Sequence, residues 1–593
     1  MNSDPETPPL SPATPSQAYL ERLEARAALA DWGGRREEML SNLRLLAFTA
    51  LLVAGAYVWG AGGAALILPA PFAAAFGLLV WLHDMVHQRR RRAERGVAYY
   101  RDRRARLEGR RPEAPDPGLD LLPEGHPYAL HIDVLGPGSL FERLACRGSA
   151  AAREALAGWL LAPAPPHEIR SRQEAVLELR PKLDLREEIA SRDAVIAKAM
   201  ESPGIAAWAE APPMLDARRE GWTTLVLVCV TLGCLALSWQ AFLASAAVQA
   251  IYARILRRRV REVLKRADGP VRNLALAWGI LERLAREPLH SGRLKALRER
   301  LIEAAALRPL TRGWDRLEWA NNQLLALLVP FLLWRTRGAI AVERWRARWG
   351  GSVRGWLSAT GEFEALLALS AYAMERPDDC VAEIADEGPL LDVRGIRHPL
   401  LAGEAVANDL MLGADLRVLV VTGSNMSGKS TLLRAVGVGV VLAQAGAPVA
   451  ARSFRLSPLR VAASVQTVDS LRAGASRFYA ELQAIRRAVQ LAEAGEPVLF
   501  LLDELLHGTN SRDREVGATE VVRSLVERGA IGLLTTHDLA LAKIPGLLGP
   551  RARNVHFESR LEGGELRFDY RLKEGVVEGS NALELMRALG LIR

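Results

Sequence analysis

The chain has 593 residues, half of them apolar, and a formal net charge of +9 carried almost entirely by arginine. A length beyond ~250–300 residues excludes a single core, and the basic balance points to a phosphate-rich partner, either nucleic acid or an anionic membrane face. Four cysteines (Cys146, Cys229, Cys234, Cys380) with neither disulfide nor zinc spacing exclude a cystine-stapled fold and place the polar domains in a reducing compartment.

Residues 1–16, rich in Pro, Ser and Thr, read as a disordered tail. Residues 17–111 form a helical membrane-anchoring region. Within it, Leu45 to His83 carries no Lys, Arg, Asp or Glu. A spanning helix needs ~20 apolar residues, so this run accommodates a transmembrane hairpin, with Gly60–Gly63 and Pro69–Pro71 at its turn. Trp59 and Trp81 fall near the span ends. Arg35, Arg36 and Arg44 precede the run and Arg89–Arg92 follow it, so the positive-inside rule puts both ends in the cytoplasm. The same clusters suit anionic membrane lipids. A buried soluble hairpin is the competing reading, and a signal peptide is a poor one because the run starts behind a long polar stretch.

Residues 112–379 read as a helical core, opened by a proline-rich linker at 112–127 and interrupted by a second uncharged run, 221–253. That run is long for one crossing and short for two. An even number of crossings, turning near Trp239-Gln240, is expected because the segments on both sides of the run read as cytosolic. Leu324 to Trp334 is too short to span and reads as a buried soluble helix.

After Pro389 short apolar runs alternate with helices, the texture of an α/β domain. The buried-strand pattern Val418–Val421 runs into Gly423-Ser424-Asn425-Met426-Ser427-Gly428-Lys429-Ser430-Thr431, a full P-loop between strand and helix. Its backbone amides suit phosphates. Lys429 is expected to reach the β- and γ-phosphates of ATP, and Ser430 to ligate Mg²⁺. A second apolar strand, Pro497–Leu502, ends in Asp503-Glu504, where Asp503 suits the metal shell and Glu504 the attacking water. A third, Ile531–Thr536, ends in His537, at the position of a γ-phosphate sensor.

These motifs resemble those of the MutS family of DNA mismatch-repair ATPases. The P-loop Asn425-Met426 pair, the run Asp503 to Asp513, the stretch Val465 to Phe478 with Glu481, Arg397-His398-Pro399 with Asn408-Asp409, and Thr535-Thr536-His537-Asp538 carry the likeness across 380–593. Weaker likeness extends to Gly136–Leu144, Ile169–Val176 and Gly361–Leu367. The resemblance implies an ABC/MutS-type P-loop NTPase domain behind an all-α MutS-like core. It also implies a homodimer in which Asn510 and Ser511 complete the partner's site. Three departures stand out: Asn510 replaces a serine, Arg514 replaces a glycine, and Ala405 stands where an adenine-stacking aromatic is expected. No mismatch-reading domain and no Phe-x-Glu wedge are found.

The expectation is therefore an inner-membrane ATPase whose N-terminus, core and ATPase domain are cytoplasmic, with ATP-dependent DNA binding as its leading role. An ATP-gated membrane scaffold without a nucleic-acid role is the alternative. A transporter is disfavoured because the apolar runs hold few polar residues for a substrate path.

Overall fold

The computed structural model describes residues 14–60, 69–110, 115–145, 149–190, 203–319, 332–401, 405–424, 426–465, 477–507, 509–562 and 565–577. The proposed N-terminal tail up to residue 13, Leu324–Phe331 of the third apolar stretch, Asn425, and 466–476 of the middle motif lie outside them. The chain divides into two compact units, the first made of the described parts of 1–115, 182–192 and 374–377.

In the first unit, α1 (Pro15–Gly60) pairs along its length with α2 (Pro69–Leu107). Two prolines sit in the first turn of α2, where a missing N–H is harmless. Gly33 lets the helices close: a Cβ there would stand 2.9 Å from Arg90 Cβ. Beside it, Glu37 accepts from Arg90 (3.1 Å) and pairs with His87 (2.9 Å). Toward the other end of the pair, Phe48 meets Phe76 at 5.6 Å between ring centroids. The polar end is closed by segments distant in sequence. Arg103 Nε donates to Glu375 Oε1 at 2.7 Å, and the Tyr19 hydroxyl donates to the same oxygen at 3.1 Å. Tyr100 OH and Arg26 both donate to Glu187. The expected boundary near residue 111 thus omits two short segments, 182–192 and 374–377, that join this unit.

In the second unit, α3 (Arg219–Leu237) and α4 (Trp239–Arg286) form an antiparallel hairpin. It turns at Ser238, whose backbone is extended and whose hydroxyl caps α4 by accepting from the Ala241 amide at 3.2 Å. The turn expected near Trp239-Gln240 falls within two residues of it. Tyr252 locks the open end, donating to Glu220 Oε2 (2.6 Å) and meeting Thr224 Oγ1 (3.2 Å). Beyond this, Leu256, Val260, Val263, Ala267, Val271 and Leu274 are buried at helical spacing. The helical core closes with α5 (Trp334–Glu375).

Three described helices, Pro15–Val58, Pro69–Leu107 and Arg219–Leu237, are long and apolar enough to cross a membrane. The apolar stretch of α4, 239–253, is shorter than the ~20 residues a full span needs. Large side chains along these segments are exposed, among them Leu46, Val53, Tyr57, Trp222, Leu235 and Trp239.

The α/β part of the second unit holds two sheets. β1 (Glu383–Ile384), β2 (Leu391–Ile396), β3 (Asn408–Leu412) and β5 (Ser453–Leu456) form one, in order β1-β5-β2-β3. The other has order β10-β9-β4-β8-β7-β6, from β4 (Val418–Thr422), β6 (Arg460–Ser464), β7 (Val498–Asp503), β8 (Ile531–Thr536), β9 (Ala552–Glu562) and β10 (Glu565–Glu574). All its pairings are parallel except β9 with β10. β4 and β8 are buried on both faces, as a parallel sheet covered by helices requires.

Glu375→Ala is expected to destabilise the first unit by about 3–5 kcal/mol, because Arg103 is left buried beside a lost carboxylate. Faster amide exchange across 95–107 and 182–190, with β4 unchanged, would register it.

Candidate nucleotide site

Parallel pairing brings three strand tips to one edge of the larger sheet. Thr422 of β4 is level with Thr536 of β8, and Asp503 of β7 is level with Thr535. Ligands gather at the carboxyl ends of such strands. The P-loop leaves β4 through Gly423, where a Cβ would come within 2.8 Å of Ser427 Oγ. It enters α6 (Lys429–Ala445) through Gly428 at φ +102°. Lys429 is buried and donates from Nζ to the carbonyls of Gly423 (2.9 Å) and Ser424 (2.8 Å). Burial pulls its pKa below the ordinary lysine value, opposed by the nearby carboxylates of Glu504 and Asp503. Ser427 Oγ is buried and without a partner among the described residues, and Met426 is exposed at φ +68°.

Asp503 accepts from the Thr535 hydroxyl across the β7–β8 pairing, which aims its carboxylate. Glu504, at φ +48°, pairs through Oε1 with His537 Nδ1 at 3.2 Å. His507 lies beside this pair, its Nε2 3.9 Å from Glu504 Oε2 and its ring 5.3 Å from that of His537. A left-handed backbone at Glu504 and again at Leu506 is strained for residues with a Cβ. The loop is held by its neighbours. The buried carboxylate of Glu481, on α7 (Arg477–Glu493), accepts from the Leu506 amide. Arg514 donates to the carbonyls of Leu506 (3.3 Å), His507 (3.3 Å) and Thr509 (3.1 Å). A glycine at 514 could make none of these bonds, so the departure noted in the sequence has a structural use.

One cavity of about 650 Å³ gathers Lys429, Ser430, Thr431, Asp503 and Glu504. Met426 and Gly428 of the expected site residues line it too, Gly423, Ser424 and Ser427 belong to the same loop, and His537 joins through Glu504, whereas Asn425 lies outside the described residues and two others stand apart. Asn510 caps α8 (Ser511–Glu527), accepting from the Asp513 amide at 2.9 Å, and with Ser511 stands exposed outside this cavity. Sequence reasoning missed Tyr570. It lies on β10 at φ +52°, beside a register shift, and its ring would be 3.2 Å from a Cβ on Gly428. Asn408 fixes it there: Nδ2 donates to the Tyr570 carbonyl (3.0 Å) and Oδ1 accepts from the Leu572 amide (2.7 Å). Ala405 lines the same cavity, so the wall left open by its small side chain faces a site that includes an aromatic from another strand. Alternation along β10 could have marked Tyr570 as sharing a face with Phe568, but nothing local says which face meets the P-loop.

Residues 419–592 match the family described as MutS domain V. The C-terminal segment is therefore similar to a MutS domain V. Domain V is a P-loop ATPase-type domain, in line with the sheet order and loop geometry above. The chain is 33% identical over 278 residues to endonuclease MutS2 of Pelotomaculum thermopropionicum, covering 46% of this chain and 34% of that protein. It is 38% identical over 212 residues to DNA mismatch repair protein MutS of Thermus aquaticus, covering 34% and 25%. With DNA mismatch repair protein MSH6 of Arabidopsis thaliana it shares 31% over 269 residues, covering 42% and 20%. The chain therefore spans about a third or less of the length of these relatives.

His398 lines the cavity of domain V in its neutral form. Burial pushes its imidazole down to about 4, and Arg434 adds to the effect. Its Nδ1 accepts from the Leu400 amide at 3.3 Å, a bond that protonation would break. The unfolded imidazole titrates near ~6.5. Between about 4 and ~6.5 the unfolded chain therefore binds the extra proton, and stability rises with pH across that window. Burial lowers His126 and His131 in the same direction. Thermal melts from pH 4.5 to 7 should climb in the wild type and climb less in His398→Gln; an unchanged slope would contradict this.

Proposed function

We propose that this chain is a membrane-anchored MutS-type ATPase that hydrolyses ATP with Mg²⁺ and couples its nucleotide state to DNA binding. The observation that carries the ATPase reading is the meeting of Lys429, Asp503 and the Glu504–His537 pair at one sheet edge. ATP would draw Lys429 Nζ off the carbonyls of Gly423 and Ser424 and onto the β- and γ-phosphates. Glu504, steadied by His537, takes a proton from water as its oxygen bonds to the γ-phosphorus. The bond from that phosphorus to the β–γ bridging oxygen breaks, and ADP and phosphate leave. The hard oxygen donors of Ser430 and Asp503 suit Mg²⁺, which supplies charge neutralisation on the phosphates when bound. Tyr570 is the side chain available to stack on the base.

Domain V of two copies would pair, with the exposed N-terminus of α8 at Asn510 and Ser511 meeting the γ-phosphate of the partner copy. That phosphate would then give the differential contact that distinguishes two arrangements of the dimer. DNA binding is supported by the likeness to DNA mismatch repair proteins and by the arginine surplus. Anchoring is drawn from the exposed apolar helices, which in water would be an aggregation surface.

Lys429→Ala should abolish ATP binding, while Glu504→Gln should retain it and lower kcat by about 10²–10⁴. Unchanged turnover in Glu504→Gln would overturn the base assignment. Tyr570→Ala should weaken ATP binding about 5–100-fold, the range expected for one base–aromatic stack. Anisotropy titration against duplex, mismatched and branched DNA at two salt concentrations tests the coupling. Binding should fall steeply with salt; none at low salt would leave an ATP-gated membrane protein without a nucleic-acid role. A reporter fused after Arg111 should be cytoplasmic, and an outside reading would sink the first hairpin.

A further inference from the structure

Resting on the membrane reading, we infer that the second hairpin carries a binding site for one anionic diacyl phospholipid, set where α4 leaves its apolar stretch. A cavity of about 990 Å³ runs along one face of α4, and its lining changes chemistry in order. At one end are Ala246, Ala250 and Ala253, small side chains that leave room beside the helix. At the other are Arg254, Arg257, Arg261 and Lys265, all exposed and without an ion pair among the described residues. The carboxylate on this lining, Asp268, is paired with Arg272 at 3.1 Å.

Gln249 stands within the alanine stretch, three residues after Ala246 and five before Arg254. It is 2% exposed, lines the cavity, and has no hydrogen-bond partner for Oε1 or Nε2 among the described residues. Trp314 Nε1, on the lining of the same cavity, is buried and equally without one among the described residues. Leaving a buried amide unpaired costs about 1–3 kcal/mol, so a ligand with acceptor oxygens at this level would be held there. With a rise of ~1.5 Å per residue, Gln249 lies ~7 Å from Arg254 along the axis, and Arg254 lies ~16 Å from Lys265. Acyl chain, ester oxygens and phosphate occur in that order and at about that spacing in a phospholipid. The direction also agrees with the hairpin: the alanine end faces the turn at Ser238, the arginine end the emerging helix. Free phosphate would satisfy the arginines but leave Gln249 and the alanine channel unused, which is why the lipid is the occupant chosen.

Full-length protein in detergent, titrated with dioleoyl phosphatidylglycerol or dioleoyl phosphatidylcholine and read by native mass spectrometry, tests the site. Wild type should retain phosphatidylglycerol at about tenfold lower concentration than phosphatidylcholine, given that each surface Arg contributes about 1 kcal/mol toward an anionic lipid. The triple variant R254Q/R257Q/R261Q should lose that preference. Ala250→Trp should lose retention while keeping the arginines. Millimolar inorganic phosphate should not displace the lipid. Equal retention of both lipids, wild-type behaviour in both variants, or displacement by phosphate would each overturn the site. Extraction of the protein from membranes by alkaline carbonate would instead remove the anchor itself. Unchanged ATP binding in both variants controls for folding.

Discussion

The register between β7, β8 and β4 is the constraint on which the site depends. Side chains alternate along a strand, so a slip of one residue would turn Asp503 away from Thr535 and bury it among apolar neighbours. With the register observed, the last residues of three strands share one edge, and a lysine and two carboxylates meet in one cavity with His537 bonded to one of the carboxylates. Packing of Val418, Val420, Phe500, Leu502 and Leu534 in a single cluster holds that register, so the chemistry of the site is set by burial several residues away.

Around this edge the chain accepts strain and then braces it. Of the six described non-glycine residues at positive φ, four, Met426, Glu504, Leu506 and Tyr570, lie on the loops and hairpin near the phosphate site. Each of the last three has a bond at or beside it: Glu504 to His537, Leu506 to Glu481, and Tyr570 to Asn408. Arg514 ties down the same loop from α8, whose N-terminus is the face we propose meets a partner copy. Contact at that face would therefore be felt at Glu504 through one arginine and one short loop.

Much of this was legible in the sequence, for reasons that differ from place to place. Strand, glycine loop and helix in strict succession fix the P-loop because only that order aims amides at a phosphate. Apolar strands ending in Asp503-Glu504 and in His537 are readable because buried parallel strands are continuous hydrophobic runs. The turn of the second hairpin was placed to within two residues of Ser238 by counting alone. Tyr570 was not readable: its role depends on a cross-sheet bond from Asn408, more than a hundred residues away. Nor were the segments 182–192 and 374–377, whose Glu187 and Glu375 look like solvated charges until Arg26 and Arg103 are seen beside them. Local pattern reports periodicity and motif; it does not report which distant charge completes a buried pair.

A cryo-EM structure of the full chain with Mg²⁺ and a non-hydrolysable ATP analogue bears most directly on the central claim. The γ-phosphate should lie between Lys429 and Glu504, with Nζ released from the carbonyls of Gly423 and Ser424. Nucleotide density elsewhere, with Lys429 still bonded to its own loop, would contradict it.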